Sequence, residues 1–136
     1  MLFLSEGPTG PSGGPTGPQG PTGPTGATGP QGDPTLIVQT AKTGAYTLAS
    51  GDQGALIQLN GTFTVSVPTD ATFNFAIGTQ INLLNIASGV ITVAPATPGT
   101  TVLNGTPGLK LRAQWSSATL IKLASNTWVI VGDLTP

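Results

Sequence analysis

Gly7-Pro8-Thr9-Gly10-Pro11-Ser12, a lone Gly13, then Gly14-Pro15-Thr16-Gly17-Pro18-Gln19-Gly20-Pro21-Thr22-Gly23-Pro24-Thr25-Gly26-Ala27-Thr28-Gly29-Pro30-Gln31-Gly32-Asp33-Pro34 is the stretch around which this chain is organised. Glycine recurs at every third position with proline usually following it, the repeat of a collagen triple helix. Three polyproline-II strands wind about an axis so crowded that only a hydrogen side chain fits there. Gly7, Gly10, Gly14, Gly17, Gly20, Gly23, Gly26, Gly29 and Gly32 are the residues that would line that axis. Proline pre-sets φ for the same conformation, and a flexible linker would use Gly and Ser without a strict period. A merely extended arm is the alternative reading.

Gly13-Gly14 slips the phase by one residue, leaving two triplets before the slip and seven after it. The third positions hold Thr, Ser and Gln, with proline only at Pro34, and no Lys or Arg supplies interchain ion pairs. A rod this short is marginal alone. The rest of the chain is therefore expected to hold three copies together.

The 136 residues leave room for one domain of about 100 residues beyond the repeat, enough for a modest core. Only 7% of residues are charged, so Thr, Ser, Asn and Gln carry much of the polar surface. A net charge of −1 gives no electrostatic footprint for nucleic acid or an anionic membrane, and neither is expected as a partner. There is no cysteine, and hence neither disulfide nor thiolate metal site. Met1-Leu2-Phe3-Leu4 is too short for a signal-peptide core, and no stretch approaches a membrane span, so synthesis in a cytoplasm without export by a cleaved signal is expected. Residues 1–6 read as a frayed end or, on the sharper reading, as an apolar anchor in which Met1, Leu2, Phe3 and Leu4 dock into a partner protein.

From Thr35 onward the texture changes to short runs of Val, Ile, Leu, Phe and Thr broken by Gly, Asn, Asp and Pro. This is an all-β pattern, expected as a trimeric β-sandwich or barrel-like knob over residues 35–136. Strands are expected at 36–40, 45–49, 55–59, 63–67, 73–77, 80–86, 90–94, 109–115, 119–124 and 127–131. Phe63, Val65 and Val67 alternate with polar residues, and an odd loop at Asn60-Gly61 would set Leu59 opposite Phe63 and Ile57 opposite Val65 in a hairpin. A two-residue turn at Ser125-Asn126 would pair Leu123 with Trp128 and Ile121 with Ile130. The strands at 80–86 and 119–131 carry apolar residues on both faces, and strands of that kind need cover on both. Neighbouring subunits are the natural cover, which makes Leu84, Ile86, Leu120, Val129 and Val131 candidates for a trimer interface.

Histidine and cysteine are absent, which removes the commonest general base, the commonest metal ligand and the thiol nucleophile. The acids Glu6, Asp33, Asp52, Asp70 and Asp133 are scattered singly, and no pair is marked for acid–base work. No enzyme activity and no cofactor are expected. Asn60-Gly61-Thr62 and Asn104-Gly105-Thr106 match a glycosylation pattern but read better as turn chemistry. Lys110, Arg112 and Lys122 gather most of the positive charge into a solvated strand face or, on a sharper reading, a patch for an anionic ligand. Trp115 and Trp128 are residues that could stack on sugars, although Trp128 reads more readily as core.

Gly78-Thr79-Gln80-Ile81, Gly89-Val90-Ile91-Thr92-Val93 and Gly108-Leu109-Lys110-Leu111-Arg112-Ala113-Gln114-Trp115 resemble a β module of tailed bacteriophages. The likeness continues through Ala118-Thr119-Leu120-Ile121-Lys122 and Asn126-Thr127-Trp128-Val129-Ile130-Val131-Gly132-Asp133-Leu134, so it spans about residues 78–134. That module resembles the C-terminal domain of phage tail-fibre, minor-tail and head-decoration proteins, often preceded by collagen-like triplets; Trp115 stands where tyrosine is more frequent. The resemblance implies a non-enzymatic, homotrimeric component of the virion surface. A capsid decoration (cement or head-fibre) protein bound to the major capsid protein or another virion protein is the preferred expectation, because six residues leave no space for a folded tail adaptor. The alternative is a tail fibre or adhesin recognising host surface glycans.

Overall fold

A computed structural model describes residues 17–26 and 35–136. The anchor residues Met1, Leu2, Phe3 and Leu4, the phase slip, and Gly7, Gly10, Gly14, Gly29 and Gly32 lie outside the described residues. The chain divides into two units, Met1–Gly32 and Asp33–Pro136. In the first, residues 17–26 form neither helix nor strand and are exposed throughout. A Cβ built on Gly17, Gly20, Gly23 or Gly26 would meet nothing within 4 Å in the single chain.

In the second unit, the first nine strands alternate between two sheets. β1 (Gln39–Lys42), β3 (Leu56–Leu59) and β5 (Gln80–Asn85) run parallel, with Gln39 beside Leu56 and Leu56 beside Asn82. β2 (Tyr46–Thr47), β4 (Phe63–Val67) and β6 (Ile91–Pro95) run parallel in the other sheet, with Tyr46 beside Val65 and Val65 beside Val93. Parallel neighbours need a crossover, usually helical. Here each crossover is a strand of the opposite sheet, so the chain winds through three stacked coils.

The corner from the first sheet to the second contains Gly44, Gly61 and Gly89 in successive coils. A Cβ on Gly89 would lie 2.2 Å from the carbonyl oxygen of Gly61, so a side chain there would push neighbouring corners apart. The ladder continues past the strands at these corners, with Asn60 N–H donating to Lys42 O and Ile86 N–H to Leu59 O.

The remaining strands close the coil. β9 (Ser117–Ala124) runs antiparallel to β5 and β10 (Thr127–Gly132), while β7 (Val102–Gly105) lies parallel to β10 at the edge. The result is a six-stranded sheet of order β1-β3-β5-β9-β10-β7. β8 (Lys110–Leu111) and β11 (Leu134–Thr135) complete a five-stranded sheet of order β11-β8-β6-β4-β2. Alternation sends one set of side chains from each sheet into a shared core: Ile57, Leu59, Ile81, Leu83, Leu120 and Ile130 from the first, Val65, Val67, Ile91 and Val93 from the second. Among the described residues there is no helix, so the domain is all-β.

Several sequence expectations change. Leu59 and Phe63 do not face each other in a hairpin: β3 and β4 belong to opposite sheets. Ile57 and Val65 are both buried, but they meet across the core, because burial of alternate residues is equally satisfied by a hairpin or by two facing sheets. Residues 73–77 form no strand. Their backbone is committed elsewhere, with Phe73 N–H donating to Thr69 O and the Phe75 carbonyl accepting from a lysine ammonium. The strand expected at 109–115 shrinks to Lys110–Leu111, and the β7 strand was not anticipated. Gly105 sits within β7, where a Cβ would lie 2.6 Å from Ile130 Cγ2. Asn104-Gly105 is therefore strand and not turn.

The C-terminal hairpin forms, but a bulge between Thr127 and Trp128 shifts its register by one residue. Trp128 lies beside Lys122 and Ile130 beside Leu120, in place of Leu123 and Ile121. A one-residue shift exchanges the faces of a strand. Lys122 and Leu120 therefore point into the core, while Ile121 and Leu123 point out.

Candidate partner surfaces

The bulge explains why Lys110, Arg112 and Lys122 form no common cationic patch. Lys122 is 2% exposed, and its ammonium donates to Asp70 Oδ1 at 2.6 Å, Asn74 Oδ1 at 2.9 Å and Phe75 O at 2.7 Å. All three of its protons are thus used within the chain. Asp70 Oδ2 accepts from Ser125 Oγ and Asn126 N–H, tying the 69–75 segment to the β9–β10 turn. The Lys122 hydrogen bond leads the influences that hold the Asp70 carboxyl below its ordinary pKa. A cavity of about 370 Å³ opens beside this network, lined in part by Asp70, Asn74, Ile77 and Ser125. The lysine under it is a structural counter-ion.

Arg112 is exposed and forms a two-point bridge to Asp133, Nε to Oδ1 at 2.6 Å and Nη2 to Oδ2 at 2.7 Å. That bond holds the Asp133 carboxyl low, helped by Ser116 Oγ donating to Oδ2. Lys110 is exposed on the outward face of the five-stranded sheet. The sequence-predicted patch is therefore one buried, one paired and one exposed cation.

Trp115, in the loop between β8 and β9, has φ of 69° and is 66% exposed. A non-glycine residue in the left-handed region costs about 1–3 kcal/mol and persists only where surroundings enforce it. Those surroundings are specific. Trp115 N–H donates to Asn85 O at 2.6 Å, Gln114 Nε2 to Ile86 O, and Ala113 N–H to Ser116 Oγ. Buried Asn85 donates through Nδ2 to Gly89 O and Ala113 O. The other tryptophan, Trp128, lies in the core with its ring edge-on to Phe75 at 5.6 Å.

The trimer-interface candidates divide. Leu120 is fully buried in the core of the single chain, which removes it from any surface; the bulge again is the reason. Leu84, Val129 and Val131 lie on the outward face of the six-stranded sheet, and half-buried Ile86 follows β5 directly. Leu56, Ile121 and Leu123 share that outward face, which sequence reasoning did not single out.

The described carboxylates are engaged within the fold. Asp52 accepts from the Tyr46 hydroxyl at 2.7 Å and from Ala49 N–H, and burial together with that carboxylate pushes the Tyr46 phenol up to about 12. No protein-family model matches this chain, and no curated protein matches it. The fold defines an all-β domain of two facing sheets wound in part as a coil.

Proposed function

We propose that the chain is a non-enzymatic structural protein of a phage virion, a homotrimeric capsid decoration (cement or head-fibre) protein. The observation that carries this reading is the Gly-X-Y repeat joined to an all-β domain. In the single chain nothing approaches the Cβ positions of Gly17, Gly20, Gly23 and Gly26, so one chain gives no steric reason for glycine at every third residue. Three chains packed about a common axis do. The resemblance of residues 78–134 to a phage β module supplies the virion context. The partners are two further copies of the chain and a capsid protein, with residues 1–6 as the proposed attachment segment.

Immunogold labelling of intact particles tests the reading: gold over the capsid is expected. Its absence from particles overturns it, and gold on the tail moves the protein to the second reading. That second reading, an adhesin for host surface glycans, is favoured by one observation. Trp115 is held exposed in a strained conformation by a hydrogen-bonded loop, as a platform for stacking on a sugar ring would be. Loss of glycan-array binding on Trp115→Ala, with the fold intact by circular dichroism, is the expected result if it holds.

A further inference from the structure

We infer that the outward face of the six-stranded sheet is the seam along which three copies of this chain pack. This rests on the trimeric reading above and assigns it a surface. Leu56, Leu84, Ile121, Leu123, Val129 and Val131 rise from four adjacent strands, β3, β5, β9 and β10, on the side away from the core. The other outward positions of this sheet are Gln, Asn, Ser, Thr and Ala, apart from Val102 on edge strand β7. Among the described residues no charged side chain lies on this face. Depletion of charge, more than hydrophobicity alone, distinguishes the core of an interface from ordinary surface.

Several polar groups of this face are already partnered within the sheet. Thr119 Oγ1 donates to Asn82 Oδ1 at 2.9 Å, Asn82 Nδ2 to Ala55 O at 3.3 Å, and Gln58 Nε2 to Gln39 Oε1 at 2.6 Å. A polar group that already has its partner within the sheet is buried at far smaller cost than one that must give up water unpaired. The occupant is argued from the repeat: a collagen triple helix takes three Gly-X-Y chains, and further copies of this chain carry that repeat. Three copies of an uncharged, partly aliphatic sheet can meet about one axis without bringing like charges together.

The chain has no cysteine, so an introduced thiol reports one position. Val131 is 48% exposed in the single chain, and Thr47 on the five-stranded sheet is exposed as well. Full-length Val131→Cys and Thr47→Cys would be assayed for reaction with a thiol reagent beside sedimentation of the parent chain. A trimer in which Val131→Cys reacts at least about tenfold more slowly than Thr47→Cys, with equal rates after denaturation, is the expected result. Equal native rates in a protein that sediments as a trimer overturn the seam and leave the assembly reading standing. A parent chain that sediments as a monomer overturns both. As a second arm, Val129→Glu should shift sedimentation toward monomer with the β signal retained, and a trimer unchanged by Val129→Glu also overturns the seam.

Discussion

The two sheets share one core but turn different chemistry outward. The five-stranded sheet presents Thr47, Thr64, Ser66, Thr92, Ala94, Lys110 and Thr135, five short hydroxylic side chains with one alanine, one cation and no large aliphatic group. The six-stranded sheet presents Leu84, Ile121, Leu123, Val129 and Val131 among amides and hydroxyls, with no charge. Inner faces cannot explain the difference, because both are aliphatic. A solvated face gains from threonine, which favours strands and keeps a hydroxyl in water. A group of isoleucine, leucine and valine on adjacent strands gains nothing from water. The contrast separates a surface suited to water from one suited to a partner.

The strongest way to break this contrast is to exchange the faces chemically. A glutamate at Val129 should shift sedimentation toward monomer, while a glutamate at Ser66 should leave the sedimentation of the full chain unchanged. Equal effects would mean that the two faces are functionally alike. Next in size is the repeat. Gly23→Ala should lose the polyproline-II-like circular dichroism of a triple helix while the β signal and the trimer mass persist, since a methyl group is free in one chain and excluded among three. An unchanged rod melting profile would favour an extended arm.

Lys122 sharpens the comparison from inside. Lys122→Met should cost about 3 kcal/mol in denaturant unfolding, because Asp70 and two further oxygens lose the cation they surround. Lys110→Met, on the wet face, should change stability by less than about 0.5 kcal/mol. Equal costs would place the two lysines in similar surroundings. The smallest effect is with pH. The folded carboxyl of Asp70 titrates below its unfolded value of about 4, so its contribution is fully present above that pH and declines as pH falls through the folded value. Asp70→Asn should be less stable than the parent at neutral pH, and the difference should narrow below about pH 4. A difference that stays constant with pH would show that the charge is not what matters at this position.

Alternation of apolar and polar residues, read from the sequence alone, determined that residues 35–136 are all-β and which side of β4 is buried. Period two is a local property of the extended chain. The glycine period of residues 7–34 is legible for the same reason, since it is a steric rule applied residue by residue. Trp128 as core and a turn at Ser125-Asn126 were likewise readable.

Only the tertiary structure decided what each strand pairs with. The pattern of Ile57, Leu59, Val65 and Val67 suits a hairpin and a coil equally. The coil was hidden because its return segments differ in length, Gln39 lying beside Leu56 but Leu56 beside Asn82, so no fixed period marks it. The fate of Lys122 was hidden by one bulged residue. A single bulged residue shifts the pairing of β10 with β9 by one and so exchanges which face of β9 lies opposite Trp128, and the contacts that hold Lys122 there are made by Asp70 and Phe75, some fifty positions away. It is that exchange which took Leu120 into the core and left Ile121, beside Val129, on the face assigned to the partner chains.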